Sequence, residues 1–318
     1  MGGLRGFIRK YWFLLGMAAA AGLAYGGADL GGRMGHFEAV IGGVSNAAII
    51  ALFLIAGIAI SLSNVGREMG NIRLHLFVQG FVYLFIPALV FATSFWIPAG
   101  RMKEGVYLLA VLPTTISTCV AFTAAARGNT LGALLNAVGS NMLGIVASPL
   151  LVGLMIGVGG SIPPGAVGKL ILNMVLVVFV PFVVGQAIAA CFGRVRERLR
   201  GVQSLMSQLL VLVLSYCAFT KSITKLADQR GAAWQVFAYL AAVQVVLILL
   251  ATLLARGAGL KRDDRSAAIF CSTQKTMAFG VPISLALGIE ILPLVFYYLF
   301  QMLTASLFLH AWNRRQRA

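Results

Sequence analysis

The chain has 318 residues, of which 60% are hydrophobic and 11% are charged, and its mean hydropathy is +0.92. This composition excludes a soluble globular domain and is typical of a protein that crosses a membrane several times. The net charge of +16 does not indicate nucleic acid as a partner. The basic residues occur in short clusters between apolar segments, where Lys and Arg orient a protein in the bilayer.

Ten apolar segments are long enough to cross a bilayer as helices, for which about 17–25 residues are needed. They lie at residues 11–28, 43–62, 75–97, 105–126, 130–157, 166–190, 204–223, 233–255, 266–287 and 289–312. The loops between them are short, so the sequence predicts an all-α integral membrane protein with a single membrane domain over residues 1–318. Basic residues are concentrated in the loops on the side of the two termini, which predicts that both termini are cytoplasmic.

The fourth segment contains a run of polar side chains, and the third segment contains a single polar amide. The third segment carries Gln79, an amide that would line a cavity or join two helices. In the fourth segment Pro113 precedes a run of hydroxyl side chains. This pattern predicts a broken helix, whose free N–H and C=O groups can hold ions or substrate together with nearby hydroxyls. The candidate binding residues here are Thr115, Ser117 and Thr118.

The fifth segment adds three polar candidates, Asn136, Ser140 and Asn141. Asn136 and Ser140 are four residues apart and share one face of a helix, whereas Asn141 points about a quarter-turn away. For any single serine or threonine in a membrane helix, a hydrogen bond back to its own helix is the simpler interpretation. A cluster that includes amides favours a binding role instead.

The ninth segment contains the most polar stretch of any segment. Gly280 and Pro282 follow this stretch directly, so one unbroken helix would be strained. The polar candidates within it are Ser272, Thr273, Gln274, Lys275 and Thr276. A lysine at the bilayer centre costs roughly 2.5–3.5 kcal/mol on insertion scales and usually faces a cavity or a partner.

Several roles for Lys275 are open from the sequence. It could bind and release a proton, serve as a fixed counter-charge for an anionic substrate, or occupy the place of a transported cation. It could also tether helices through carbonyl groups or extend to a membrane interface. All nine acidic residues lie in loops or at the edges of segments, and Glu290, at the start of the tenth segment, comes closest to lying inside one.

The ten segments divide into two sets of five, residues 1–160 and 161–318. Because five is odd, two such units would have opposite orientations in the membrane and form an inverted repeat. A faint sequence match supports this division, since a hydroxyl-rich stretch precedes Ala-Phe at Ala121-Phe122 and again at Ala278-Phe279.

The four cysteines and three histidines show no spacing typical of a metal site or of a disulfide framework. We also find no nucleophile–base pattern and no phosphate-binding loop. The sequence therefore predicts a protein that is not an enzyme and that has no cofactor.

The chain resembles the bile acid–sodium symporter family, solute carrier family 10, and most closely the branch typified by its seventh member. The segments that carry the resemblance are Leu74 to Gln79 with Pro87, Leu112 to Thr118, Arg127-Gly128-Asn129, Asn136 to Asn141, Ser148 to Leu151 and Cys271 to Lys275. They extend over essentially the whole chain at matching spacing.

The resemblance implies ten transmembrane helices in two inverted five-helix repeats, arranged as a panel domain and a core domain. It implies that the fourth and ninth helices are broken and cross near the membrane centre, with substrate bound beside the crossing. The family's sodium ligands carry over to Ser117, Thr118, Asn136 and Gln274. Sodium-coupled members have a glutamate about one turn before that glutamine, whereas this chain has no acid from Phe270 to Thr273. Because hard cations prefer carboxylate ligands, the change should weaken sodium binding.

These observations favour a secondary transporter that moves an organic, amphipathic anion by alternating access. The alternatives are a proton-coupled antiporter that uses Lys275 and a non-transporting membrane regulator of calcium homeostasis. The expected partners are the lipid bilayer, a small organic anion and either sodium or protons, with a homodimer as the candidate assembly. Short loops, many arginines and the lack of a targeting extension favour a bacterial inner (plasma) membrane.

Overall fold

The computed structural model describes residues 2–28, 34–59, 66–98, 100–157, 165–199, 201–226 and 230–314. Within these ranges the regular structure is helical and contains no strand. The α-helices are α1 (Gly2–Ala28), α2 (Met34–Ala59), α3 (Gly66–Met69), α4 (Ile72–Gly80), α5 (Ile86–Thr93), α6 (Arg101–Ala110), α7 (Ile116–Ala125), α8 (Thr130–Gly157), α9 (Ala166–Met174), α10 (Val180–Cys191), α11 (Gly193–Leu199), α12 (Gln203–Leu226), α13 (Arg230–Gly257), α14 (Arg262–Thr273), α15 (Met277–Leu287) and α16 (Leu292–Arg314).

Six helical stretches among the described residues are long and apolar enough to cross a membrane. They are Val40–Ala59, Ile72–Trp96, Thr130–Gly157, Ala166–Cys191, Gly231–Gly257 and Leu292–Arg314. Shorter apolar helices occupy Leu15–Gly26, Ile116–Ala125 and Leu205–Thr220. The prediction of an all-helical integral membrane protein is confirmed at this level.

The predicted fourth and ninth segments are each divided into two short helices. The first interruption lies between α6 and α7, and the second lies between α14 and α15. Thr115 and Thr276 precede the second halves in extended conformations, with φ and ψ of −81° and 137° and of −91° and 129°. Both predicted interruptions are therefore present. The Ala-Phe match is out of register with them, because Ala121 is the sixth residue of α7 whereas Ala278 is the second residue of α15.

A π-helical segment, Phe81–Phe85, joins α4 to α5 and changes the hydrogen bonding of the backbone. The N–H of Ile86 donates to Phe81 O, five residues back. The next residue is Pro87, which has no N–H to give. The carbonyl of Val82 therefore receives no amide from either of these positions and is available to another donor.

The helices pack as two groups that meet along one seam. In the first group α2 packs against α10 and α12, and α1 packs against α12. Gly57 of α2 and Gly185 of α10 allow a close approach there, since a Cβ on Gly57 would collide with Phe182 O. In the second group α13 packs against α14 and α16, while α7 packs against α8 and α14. Of the interrupted pairs, α6, α7 and α14 pack within this second group, whereas α15 packs against α2 and α12 of the first group as well as against α6 and α16.

Candidate functional site

The two interruptions lie against each other inside the second helix group. The backbone N–H of Thr276 donates to Pro113 O at 3.0 Å. The hydroxyl of Thr118 donates to Gln274 Oε1 at 3.4 Å. The polar stretches that the sequence identified separately therefore form one buried site.

Helix α8 supplies the hydrogen bonds that the first interruption lacks. Ser140 Oγ accepts from the N–H of Thr114 at 3.2 Å, and Asn141 Nδ2 donates to Thr114 O at 2.9 Å. Further along, Ser148 Oγ donates to Val111 O at 2.7 Å. Tyr83 in turn donates its hydroxyl to Ser140 O. Because buried backbone groups must be paired, these side chains stabilise the non-helical backbone.

Helix α16 does the same for the second interruption. Gln301 accepts from the N–H of Lys275 at 2.7 Å and donates its Nε2 to Lys275 O at 3.1 Å. Tyr297 donates its hydroxyl to Thr273 O at 3.0 Å, and Gln274 donates to Gln301 O at 3.2 Å. Neither Tyr297 nor Gln301 was among the candidates predicted from the sequence. The signal was present as an amide in the middle of an apolar segment, four residues after a tyrosine.

Lys275 is only 2% exposed, and its ammonium is bound by backbone carbonyls. Nζ donates to Leu112 O at 2.7 Å, to Ala110 O at 3.0 Å and to Val82 O at 3.5 Å. Ala110 ends α6, where carbonyl groups have no helical partner and the helix dipole is negative. Val82 O is the carbonyl that Pro87 leaves without an amide. Three backbone oxygens from two segments thus form a cage around one cation.

The four residues matched to sodium ligands do not form one cluster of hydrogen bonds within the described part of the chain. Thr118 pairs with Gln274, but Asn136 instead accepts from Gln79 Nε2, at 3.1 Å to its O and 3.4 Å to its Oδ1. Ser117 faces a cavity. The adjacent residues Ser117 and Thr118 point to different places because successive side chains diverge by about 100° around a helix.

Two of the remaining candidates have no contact that favours a ligand. Thr273 Oγ1 donates to Ile269 O at 2.8 Å, which is the local bond expected of a helical threonine. Ser272 Oγ is buried and has no partner among the described residues. Thr276 instead caps α15 by accepting from the N–H of Ala278 at 3.3 Å.

A cavity of about 330 Å³ lies on the seam between the two helix groups. Its walls come mainly from α2, α7 and α12. Four sequence candidates line it, together with two polar residues that sequence reasoning missed: Thr115, Ser117, Asn141, Thr276, Gln203 and Ser207. The rest of the wall is apolar, and no charged side chain lines it among the described residues. Lys275 therefore does not face this cavity in the structure.

The first turn of α7 borders the cavity through Thr115, Ile116 and Ser117. No side chain caps this helix end. The first N–H groups of a helix have no helical partner, and they carry partial positive charge. The cavity thus combines apolar walls with one end that can donate hydrogen bonds to an anionic group.

Comparison with known proteins gives a consistent result over nearly the full chain. The model of the SBF-like CPA transporter family matches residues 11–314. The chain is 28% identical over 297 residues to YfeH of Escherichia coli (strain K12), covering 88% of this chain and 87% of that protein. It is 26% identical over 313 residues to sodium/bile acid cotransporter 7 of Mus musculus, covering 94% and 91%. It is also 29% identical over 300 residues to protein PA2026 of Pseudomonas aeruginosa, covering 89% and 88%.

Proposed function

Because the chain belongs to the SBF-like CPA transporter family, we propose that it is a secondary transporter that moves an amphipathic organic anion by alternating access. The resemblance to the bile acid–sodium symporters is confirmed by the family model and by relatives named sodium/bile acid cotransporter 7. The chain is accordingly a membrane transporter and not an enzyme. Its substrate and its coupling ion belong to the proposal.

The cavity on the seam is the main support for an amphipathic organic anion as the substrate. Its volume of about 330 Å³ is that of a small-molecule site, and its walls are mostly apolar. An anionic group would be held by the free N–H groups of α7 and by the hydroxyls of Thr115, Ser117 and Thr276. The apolar part of the same solute would lie against Leu52, Phe53 and Val211.

The packing supports the proposed ten-helix architecture of two inverted units, residues 1–160 and 161–318. Each interruption is stabilised by polar side chains from the long helix that follows it, α8 in one half and α16 in the other. The first helix group would be the panel domain, and the second group would be the core domain. Alternating access would then require one group to move against the other, with the substrate cavity between them.

For the coupling, we propose that Lys275 is a tethered cation that replaces a bound sodium ion. The ammonium already fills a cage of three carbonyl oxygens. The Thr118–Gln274 pair nearby has no carboxylate with which to hold sodium. Transport would therefore not require sodium. A proton-coupled exchange would instead show a transport rate that depends on pH.

The test is uptake of labelled amphipathic anions and of their neutral analogues into liposomes that contain the purified protein. Ala121→Trp places a large side chain in the cavity and should abolish uptake. Leu253→Trp is the matched control, because Leu253 is 60% exposed on the outer face of α13 and should retain uptake. Equal uptake by both variants would refute the cavity as the substrate site. Absence of flux for every solute would favour the non-transporting regulator.

A further inference from the structure

A second cavity lies in the second helix group, where α13 and α16 end and α14 begins. It has a volume of about 390 Å³ and is bordered by the last three turns of α13, the first turn of α14 and the last turns of α16. Three arginines line it together with one threonine and with apolar and aromatic side chains: Arg256, Arg262, Arg265, Thr252, Leu249, Phe308, Ala311 and Trp312. This cavity is separate from the substrate cavity and shares no residue with it.

The charge of this cavity is positive and is not neutralised by its own walls. No acidic side chain lines it within the described part of the chain. The nearby carboxylate of Asp264 is directed elsewhere, since it accepts from Asn71 at 3.1 Å and from Asn129 at 2.7 Å. Arg265 donates its Nε to Leu260 O at 2.7 Å and is thereby fixed in place. Arg256 and Arg262 are exposed and can meet a ligand from outside the protein.

The apolar part of the cavity extends from these arginines toward the membrane interior. Leu249, Thr252 and Arg256 lie at helical spacing on one face of α13. The hydroxyl of Thr252 donates to Ile248 O at 2.7 Å, so this face offers the side chain of Leu249 and the methyl group of Thr252 below a guanidinium group. On the facing helix the rings of Phe308 and Trp312 are 5.7 Å apart. Tryptophan near a helix end is typical of the membrane–water interface.

The indole N–H of Trp312 adds an unused donor beside the arginines. Its Nε1 atom is buried and has no acceptor among the described residues. Buried donors in native proteins are usually paired with protein, water or ligand. The cavity therefore presents cationic and hydrogen-bond donors at one end and an apolar groove at the other.

We propose that this cavity binds an anionic phospholipid. The phosphate would accept hydrogen bonds from Arg256 and Arg262, because guanidinium groups bind phosphate in a bidentate manner. One acyl chain would lie along the stripe formed by Leu249, Phe308 and Trp312. Basic sites at the ends of membrane helices are suited to anionic head groups, and apolar grooves below them are suited to acyl chains. The site lies outside the proposed transport path and does not depend on it.

The test measures thermal unfolding of the detergent-purified full chain in the presence of phosphatidylglycerol, phosphatidylcholine or inorganic phosphate. We expect phosphatidylglycerol to raise the melting temperature selectively and in a concentration-dependent manner. The double variant Arg256→Gln/Arg262→Gln should weaken its apparent affinity about 25-fold, at roughly fivefold per arginine. The double variant Arg194→Gln/Arg198→Gln removes the same charge from exposed positions on α11 and should bind as the wild type does.

A second variant separates lipid from free phosphate. Thr252→Trp fills the apolar part of the cavity and leaves the arginines in place, so it should abolish stabilisation by phosphatidylglycerol. Stabilisation by inorganic phosphate equal to that by the lipid would overturn the assignment. So would stabilisation by phosphatidylglycerol that is unchanged in Thr252→Trp, or that falls equally in the two arginine pairs. Equal effects of the two phospholipids would overturn it as well.

Discussion

Replacing Lys275 by methionine removes the cation from its cage while keeping an unbranched side chain of similar length. Two carbonyls, Leu112 O and Ala110 O, lie within 3.0 Å of the ammonium and would lose their donor. An unpaired buried carbonyl costs about 1–3 kcal/mol, which gives about 2–6 kcal/mol for the two. Burying a neutral side chain in place of a charge returns part of this cost. We therefore expect the variant to be about 2–4 kcal/mol less stable than the wild type.

The assay is thermal unfolding in detergent, in sodium, potassium and choline chloride at constant ionic strength. If Lys275 is a tethered cation, the wild type should show no preference among these salts, and Lys275→Met should be selectively stabilised by an alkali cation. A concentration ten times above Kd would restore about 1.4 kcal/mol. Lys261→Met, at an exposed position before α14, is the matched control and should change little. Unchanged stability of Lys275→Met, or selective stabilisation of the wild type by sodium, would refute the reasoning.

Three further substitutions test the support of the site. Gln301→Leu leaves the backbone N–H and C=O of Lys275 unpaired and should lower the free energy of unfolding by about 2–5 kcal/mol in the same assay. A loss below about 1 kcal/mol would mean that other partners replace the two hydrogen bonds. Asn141→Ala removes hydrogen bonds to Thr114 O and Ala137 O and should lower the stability. Because both N–H groups of this amide are used in these bonds, the affinity for a transported anion should change little, and a large loss of affinity at unchanged stability would contradict this assignment. Gly57→Ala should lower the free energy of unfolding by about 1–3 kcal/mol, because the added Cβ would collide with the backbone of α10. Gly43→Ala on the same helix is the control, since its Cβ meets nothing within 4 Å and the substitution should be neutral or stabilising. Equal effects of the two substitutions would argue against close packing of α2 on α10.

The positions of the two interruptions could be predicted because each has a local cause. Pro113 and the polar stretch around Gln274 each coincide with an interruption. Pro149 and Pro282, in contrast, lie inside the continuous helices α8 and α15, so a proline alone does not locate a break. Their contact with each other was expected from the family resemblance and not from the residues alone. The Ala-Phe pairs at 121–122 and 278–279 are not equivalent, because they lie at different distances from the starts of α7 and α15. The sequence letters alone do not show where those two helices begin.

The surroundings of Lys275 could not be predicted in this way. Its partners are backbone carbonyls, which every residue has and which leave no trace in the sequence. One of them, Val82 O, is free because a π-helical turn and Pro87 act together, and a sequence pattern shows only the proline. Gln301 was equally hard to identify, since a single buried amide fits a structural and a binding role equally well until its partners are known.

The contacts at the seam between the two helix groups are less polar than the contacts within each group. Directional hydrogen bonds hold each group together, as from Gln186 to Gly57 O in the first and from Gln244 to Thr304 in the second. At the seam Ser215 donates to the sulfur of Met277 at 3.6 Å, which is a weak bond to a soft acceptor, and the cavity walls beside it are mostly apolar. Separating a buried hydrogen-bonded pair leaves a donor and an acceptor unpaired, whereas separating apolar side chains does not. If the two helix groups move against each other as proposed, we expect them to separate along this boundary, and the proposed substrate cavity lies on it.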